Sequence, residues 1–313
     1  MWVYTVEKQV KKKKVYSGVE GLPTGRTSDR ITDGCLCLEG GGWRGLYTVG
    51  VLDALMVNDI NLRTTIGISA GALSGIGYVA GQIGWSAGID LQYRHDPRYC
   101  GRDALLIEHG IMGYRYLFNR LVKDSPLDKR RLKSPERRLY VGATNMLTGE
   151  IEYFEKGTSN IYLAAAASAS VPYLSKPVMI DGVPYLDGAC VEKIPYPFAK
   201  ELREEKIVIV KTRERDYRRK EGKNKAAGMM YRRYPAFVAG INAANGRFNE
   251  MADELEREER EGNVFLIAPT QTVEVSRFDG DMEKLGDLYW LGYHDTEDAL
   301  PALMDYLEET MYE

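Results

Sequence analysis

Histidine is scarce, with His95, His109 and His294 the three present in 313 residues. Cysteine is scarce too: Cys35, Cys37, Cys100 and Cys190 show no paired zinc spacing. Cys35-x-Cys37 is too tight for a C-x2-C site, and on a strand both thiols would face one side. So few cysteines exclude a disulfide-stapled miniature and predict reduced, packed thiols in a cytoplasmic protein. Long apolar runs are missing. Ala164–Ala167 and Ile207–Val210 fall far short of the roughly 18 residues a bilayer span needs. The opening MWVYTVEKQVKKKK has no apolar core of about 7–15 residues, so no secretory leader is expected there. Charge excess is also missing: 42 basic against 45 acidic residues give a net charge of −3. A chain that is basic throughout, as a nucleic-acid binder would be, is excluded.

What is present is ordinary for a soluble globular chain, with 44% hydrophobic and 28% charged residues. The length predicts about two domains, or one large α/β domain with an appendage. Residues 1–32 read as a polar lead-in with a basic run at Lys8 and Lys11–Lys14, either a solvated tail or a weak attraction to anionic lipid headgroups. Residues 33–212 alternate strands and helices. Cys35–Glu39 reads as a buried strand ending in three glycines, and Arg44–Asn58 as a helix. Thr64–Gly67 reads as a second strand end and Ala70–Gly81 as a tightly packed helix. That alternation predicts a parallel sheet with crossover helices. Further strands are expected at Leu139–Thr144, Ile151–Phe154, Ile207–Val210 and Val264–Ile267, and a helix at Ile161–Ser168. In the remaining unit, 213–313, Asp281–Tyr312 reads as two helices around Gly292-Tyr293-His294. The basic stretch 211–233 and the acidic stretch 250–261 read as solvated helical faces. They could pair with each other or present a charged rim to substrate.

Gly40-Gly41-Gly42-Trp43-Arg44-Gly45 matches G-x-G-x-x-G between a strand and a helix. One reading is a dinucleotide-binding turn. That reading wants an acid ending the second strand, whereas Asp59 closes the preceding helix. The other reading turns the same backbone N–H groups toward an oxyanion developing in a transition state. It requires a nucleophile on a neighbouring strand end.

Gly67-Ile68-Ser69-Ala70-Gly71 supplies one. G-x-S-x-G between a strand and a helix exposes the serine hydroxyl on a sharp turn, and the flanking glycines avoid steric conflict. The plain alternative is Ser69 as a helix N-cap. A base is also needed. His294 is the only late histidine that an α/β-hydrolase order allows, and no strand precedes it. A carboxylate fits better: Asp187 stands at a strand end in a hairpin-like pattern over 178–189, with Gly188 behind it. Asp-Gly is also a simple turn.

Together, Gly40–Gly45, Gly67–Gly71 and Asp187-Gly188-Ala189, in this order, resemble the patatin-like phospholipase family. The segment AAAASASVP, 164–172, is similar to the one preceding the family's aspartate. The resemblance covers roughly 33–211, and the C-terminal third resembles an extension found in some bacterial members. It implies a three-layer α/β/α sandwich with a mostly parallel central sheet, plus a C-terminal helical appendage. It implies a Ser69–Asp187 dyad without histidine, an oxyanion loop at Gly40, Gly41 and Gly42 held by Arg44 and Gly45, and no metal or cofactor. The implied partner is a lipid or acyl-ester substrate, with peripheral membrane contact through the basic segments and no nucleic acid. The implied activity is hydrolysis of lipid esters through an acyl-enzyme. Alternatives are acyl transfer by the same dyad, or a non-catalytic membrane-surface module. Trp43 and Trp85 are candidates to line a hydrophobic groove.

Overall fold

The computed structural model describes residues 14–308. Lys8, Lys11–Lys13 and Tyr312 lie outside the described residues. The strands of the main sheet are β1 (Thr32–Leu38), β2 (Leu62–Ile68), β3 (Arg138–Asn145), β4 (Ile151–Glu155), β5 (Val178–Ile180), β6 (Val183–Asp187), β7 (Ile207–Val210) and β8 (Phe265–Ile267). Helices α1 (Gly45–Val57), α2 (Ala70–Val79), α3 (Trp85–Tyr93), α4 (Arg102–Glu108), α5 (Ile161–Ser168), α6 (Tyr196–Glu201), α7 (Lys225–Met230), α8 (Pro235–Arg260) and α9 (Met282–Glu308) connect or cover them.

The strand order is β8-β7-β1-β2-β3-β6-β5, with β4 also on β3. The five strands from β8 to β3 run parallel. β4, β5 and β6 pair antiparallel. Both faces are buried, and strand alternation divides the apolar side chains between them. Leu36, Leu38, Val208 and Val210 face the core under α1 and α2. Cys35, Cys37, Ile207 and Ile209 face the core with Tyr196 of α6 and Phe248 and Leu255 of α8. The result is helices on both sides of a mostly parallel sheet. The two neighbouring thiols share one face as expected, and all four cysteines are free.

α1 is buried along nearly its whole length because α9 lies over its outer side. This explains its all-round apolar sequence. The crossing depends on close backbone approach. A Cβ at Gly50 would stand 2.0 Å from the Tyr289 carbonyl oxygen, and one at Gly292 would stand 2.1 Å from that of Tyr47. Gly292 therefore does not break the C-terminal segment. Two expected helices are one continuous helix, because this glycine serves interhelical contact instead of a turn.

The basic stretch also departs from expectation. Residues 211–224 are largely irregular, and only Lys225–Met230 is helical. Lys211 is buried and donates to the Arg215 carbonyl at 2.7 Å. The acidic stretch does belong to an amphipathic helix, α8, whose buried stripe includes Ala244, Phe248, Ala252 and Leu255. The two stretches pair: Arg218 reaches Asp253 and Glu256, and Arg215 reaches Glu259.

Candidate active site

β2 and β6 use the same edge of β3 in succession. β2 pairs with Arg138–Gly142, β6 takes over at Ala143–Asn145, and β4 holds the opposite edge. Ile68 therefore stands opposite Gly142, and Asp187 opposite the next residue, Ala143. This register brings together two motifs separated by 118 positions.

Ser69 follows β2 with φ 56° and ψ −121°, a left-handed conformation for a residue with a side chain. It occupies the N-cap position of α2, yet its hydroxyl makes no cap hydrogen bond. Ser69 Oγ–H instead donates to Asp187 Oδ2 at 2.9 Å, and both residues are buried. Gly67 and Gly71 permit the turn: a Cβ on Gly67 would meet the Gly71 carbonyl at 2.6 Å, and one on Gly71 would meet that of Leu38 at 2.6 Å.

Asp187 is oriented through its other oxygen. Ala189 N–H donates to Oδ1 at 2.8 Å, and Thr144 Oγ1–H donates to the Asp187 carbonyl at 2.9 Å. Gly188 packs where a side chain would strike the Gly142 carbonyl. Burial raises the Asp187 pKa above the ordinary carboxylate range. Arg277, the Ala189 N–H, the Ser69 hydroxyl and Lys193 oppose that shift. The carboxylate is thus both close to the serine and more basic than in water.

The glycine loop divides its donors. Gly40 lies against Ser69, but its N–H donates to the Lys193 carbonyl at 3.1 Å. Of the expected oxyanion loop at Gly40, Gly41 and Gly42, the Gly40 N–H is therefore already engaged. The N–H groups of Gly41, Gly42 and Ala70 find no acceptor among the described residues. Arg44 is buried beneath the loop, and burial together with Arg213 lowers its pKa to about 10. Gly45 opens α1 against Ala70.

An apolar groove reaches Ser69, lined by Trp43, Leu73, Trp85, Ile89, Met112 and Phe118 among others. His294 is far from a base's role: its side chain is 62% exposed and its Nδ1 faces Glu297 at 2.9 Å. His95 contacts the Gly280 carbonyl and His109 ends α4; both are exposed.

Two residues beside the Ser69–Asp187 pair were not singled out from sequence. Ser168 Oγ accepts the Ser69 N–H at 2.8 Å and donates to the Gly142 carbonyl at 2.6 Å. It lies within the AAAASASVP segment, so a signal existed for the segment though not for the residue. Arg277 lines the groove from a loop far along the chain, and no local pattern marks it.

A family model described as patatin-like phospholipase matches residues 36–200, more than half of the chain. The chain belongs to the patatin-like phospholipase family. Residues 234–308 match a second model, described as a domain of unknown function (DUF6363). An uncharacterized Escherichia coli protein, YjjU, is 25% identical over 182 residues, covering 56% of this chain and 51% of YjjU. The chain thus spans about half the length of this curated relative. Among solved structures, VipD from Legionella pneumophila aligns with a TM-score of 0.46 and 16% identity, covering 96% of this chain and 72% of that one. ExoU–SpcU from the type III secretion system of Pseudomonas aeruginosa aligns with a TM-score of 0.35 and 12% identity, covering 99% of this chain and 60% of that one.

Proposed function

We propose that this protein is a serine acyl hydrolase that cleaves carboxylic esters of lipids through an acyl-enzyme on Ser69. The reading rests above all on the 2.9 Å contact between Ser69 Oγ and Asp187 Oδ2 at an apolar groove. Asp187 takes the Ser69 proton as Oγ attacks the ester carbonyl. The oxyanion is received by N–H groups from Gly41, Gly42 and Ala70, each worth roughly 3–4 kcal/mol in such a site. Asp187 returns the proton to the departing alcohol, and the acyl group remains on Ser69. Water then attacks, Asp187 accepts its proton, and the fatty acid leaves as Ser69 is reprotonated.

The groove's surroundings suit a lipid surface. Leu105, Leu106 and Ile107 on α4, Tyr173, and Met229 and Met230 on α7 are exposed. α4 and the Tyr173 segment are joined by hydrogen bonds through Lys176 and Ile111, and Tyr173 contacts Tyr231 just after α7. Exposed Lys176, Lys223, Lys225, Arg232 and Arg233 surround this rim with positive charge, which favours an anionic bilayer. No described helix is long and apolar enough to cross a membrane. Contact with lipid in this reading is peripheral, by a cytoplasmic protein with free thiols.

The test is hydrolysis of short- and medium-chain p-nitrophenyl esters by the wild type, Ser69→Ala, Asp187→Asn and His294→Ala, each checked for folding. The reading expects the first two variants to lose activity and His294→Ala to keep it. Loss of activity in His294→Ala alone would point to a histidine base and overturn the dyad.

A further inference from the structure

Positive charge is concentrated around the glycine loop. Glu39, at the end of β1, receives the Thr212 N–H at 2.6 Å, while Arg219 approaches its other oxygen at 3.7 Å. Arg44 lies beneath the same loop, and Arg213 donates to the Val273 carbonyl. The segment that follows Val273 crosses the loop, where Trp43 N–H donates to the Arg277 carbonyl at 3.2 Å. A Cβ on Gly42 would stand 2.6 Å from Arg277 Cγ, so the arginine stem lies directly on the oxyanion loop.

Four arginines thus converge on a loop whose buried acids are Glu39, beside Arg44 and Arg219, and Asp187, within reach of the Arg277 charge. Their hydrogen bonding is incomplete. Arg44 Nε, Arg213 Nε and Arg219 Nε are buried without an acceptor among the described residues, and Arg44 as a residue is only 5% exposed. The Arg277 guanidinium makes no hydrogen bond or ion pair among the described residues, although it is half-buried and lines the groove with Ser69. A half-buried guanidinium that forms no hydrogen bond or ion pair, and acts on Asp187 only through space, lies next to arginines with unfilled donors and is matched by an oxyanion that arrives with the substrate.

We propose that Arg277, backed by Arg44, Arg213 and Arg219, forms an anion subsite that receives a phosphate group beside Ser69. The phosphate is carried on the alcohol side of the scissile ester. The apolar groove takes the acyl chain, and the arginine side of the glycine loop takes the headgroup. This inference rests on the acyl-hydrolase reading and adds the charge of the substrate. It assigns a substrate-reading role to a segment outside the region 36–200 that the family model covers.

The experiment compares two soluble esters with one acyl chain, hexanoylglycerol and hexanoylglycerol 3-phosphate, on the wild type, Arg277→Gln and Arg277→Lys. Circular dichroism verifies folding, and Arg219→Gln is a second variant should Arg277→Gln unfold. The wild type is expected to favour the phosphorylated ester in kcat/KM by about tenfold or more. Arg277→Gln should remove most of that preference, and Arg277→Lys should restore part of it. Inorganic phosphate separates the two sources of the anion. If it only competes with the phosphorylated ester, the subsite belongs to the substrate. If it accelerates hydrolysis of the neutral ester in wild type but not in Arg277→Gln, the subsite stands but its ligand is free phosphate, and the headgroup assignment falls. Equal turnover of the two esters by wild type, with no response to inorganic phosphate, would overturn the proposal, as would a preference that survives both glutamine variants. Failure of the hydrolase reading looks different: neither ester is cleaved, and a fluorophosphonate leaves Ser69 unlabelled.

Discussion

Replacing Ser168 with alanine removes one hydroxyl that serves two backbone groups. Ser168 is fully buried, accepts the Ser69 N–H at 2.8 Å and donates to the Gly142 carbonyl at 2.6 Å. In Ser168→Ala the Ser69 N–H is left buried without a partner, which costs about 1–3 kcal/mol. The bond also restrains a residue at φ 56° and ψ −121°. Strain of this kind is of order 1–3 kcal/mol and persists only while its surroundings enforce it. Released from Ser168, Ser69 can relax toward an ordinary N-cap and turn its hydroxyl away from Asp187. The variant should therefore lose about 1–3 kcal/mol in urea unfolding. Under fully native conditions it should also react with a fluorophosphonate about tenfold or more slowly, because misaiming a nucleophile is costly even when the fold survives. A variant that matches wild type in both measurements would refute the assignment of Ser168 as the residue that positions the nucleophile.

Other perturbations have equally definite outcomes. Asp53 is buried between α1 and α9, accepts from Gly84 N–H and Tyr289 OH, and its pKa is raised by burial from 3.8 to about 7. Because the folded-state value is the higher one, the folded protein holds this proton more tightly, and stability falls as pH rises from about 4 to 7, by on the order of 4 kcal/mol; Asp53→Asn should flatten that decline in urea titrations. Asp187 is raised in the same direction, so Asp187→Asn should gain stability relative to wild type as pH rises from the ordinary carboxylate range toward neutrality, while losing esterase activity. Gly292→Ala places a Cβ 2.1 Å from a backbone oxygen of α1 and should lower stability by about 1–3 kcal/mol or more in thermal unfolding, with α9 displaced. In Met229→Asp/Met230→Asp, sedimentation with anionic vesicles should fall while turnover of a soluble p-nitrophenyl ester stays at the wild-type level.

The central strands were legible because each is a short apolar run bounded by turn residues. Ile207–Val210 coincides with its expected bounds, and the expected Cys35–Glu39 overlaps β1, which starts earlier at Thr32 and ends at Leu38. Ser69 and Asp187 stood out in the sequence because each sits in a compact local motif, and the structure places them 2.9 Å apart. Ser168 and Arg277 were not, because tertiary register carries them there: one through the Gly142 position of β3, the other through a loop crossing from the far end of the chain. Gly292 misled for a related reason. A glycine in a helical pattern reads as a break when its partner helix is unknown, and α1 is some 240 residues earlier in the chain. The basic stretch misled because charge pattern does not reveal which cations are buried. Lys211 is 1% exposed, although its neighbours in sequence look like solvated surface.

The most direct test of a Ser69–Asp187 dyad is the rate and site of fluorophosphonate labelling between pH 5 and 9. The account predicts one adduct, on the peptide containing Ser69, lost in Ser69→Ala and strongly slowed in Asp187→Asn. The base must be ionised to accept the proton, so wild-type labelling should fall as pH drops through an Asp187 pKa above the ordinary carboxylate range. An adduct on another residue, or a Ser69 adduct that forms at the wild-type rate in Asp187→Asn, would contradict it.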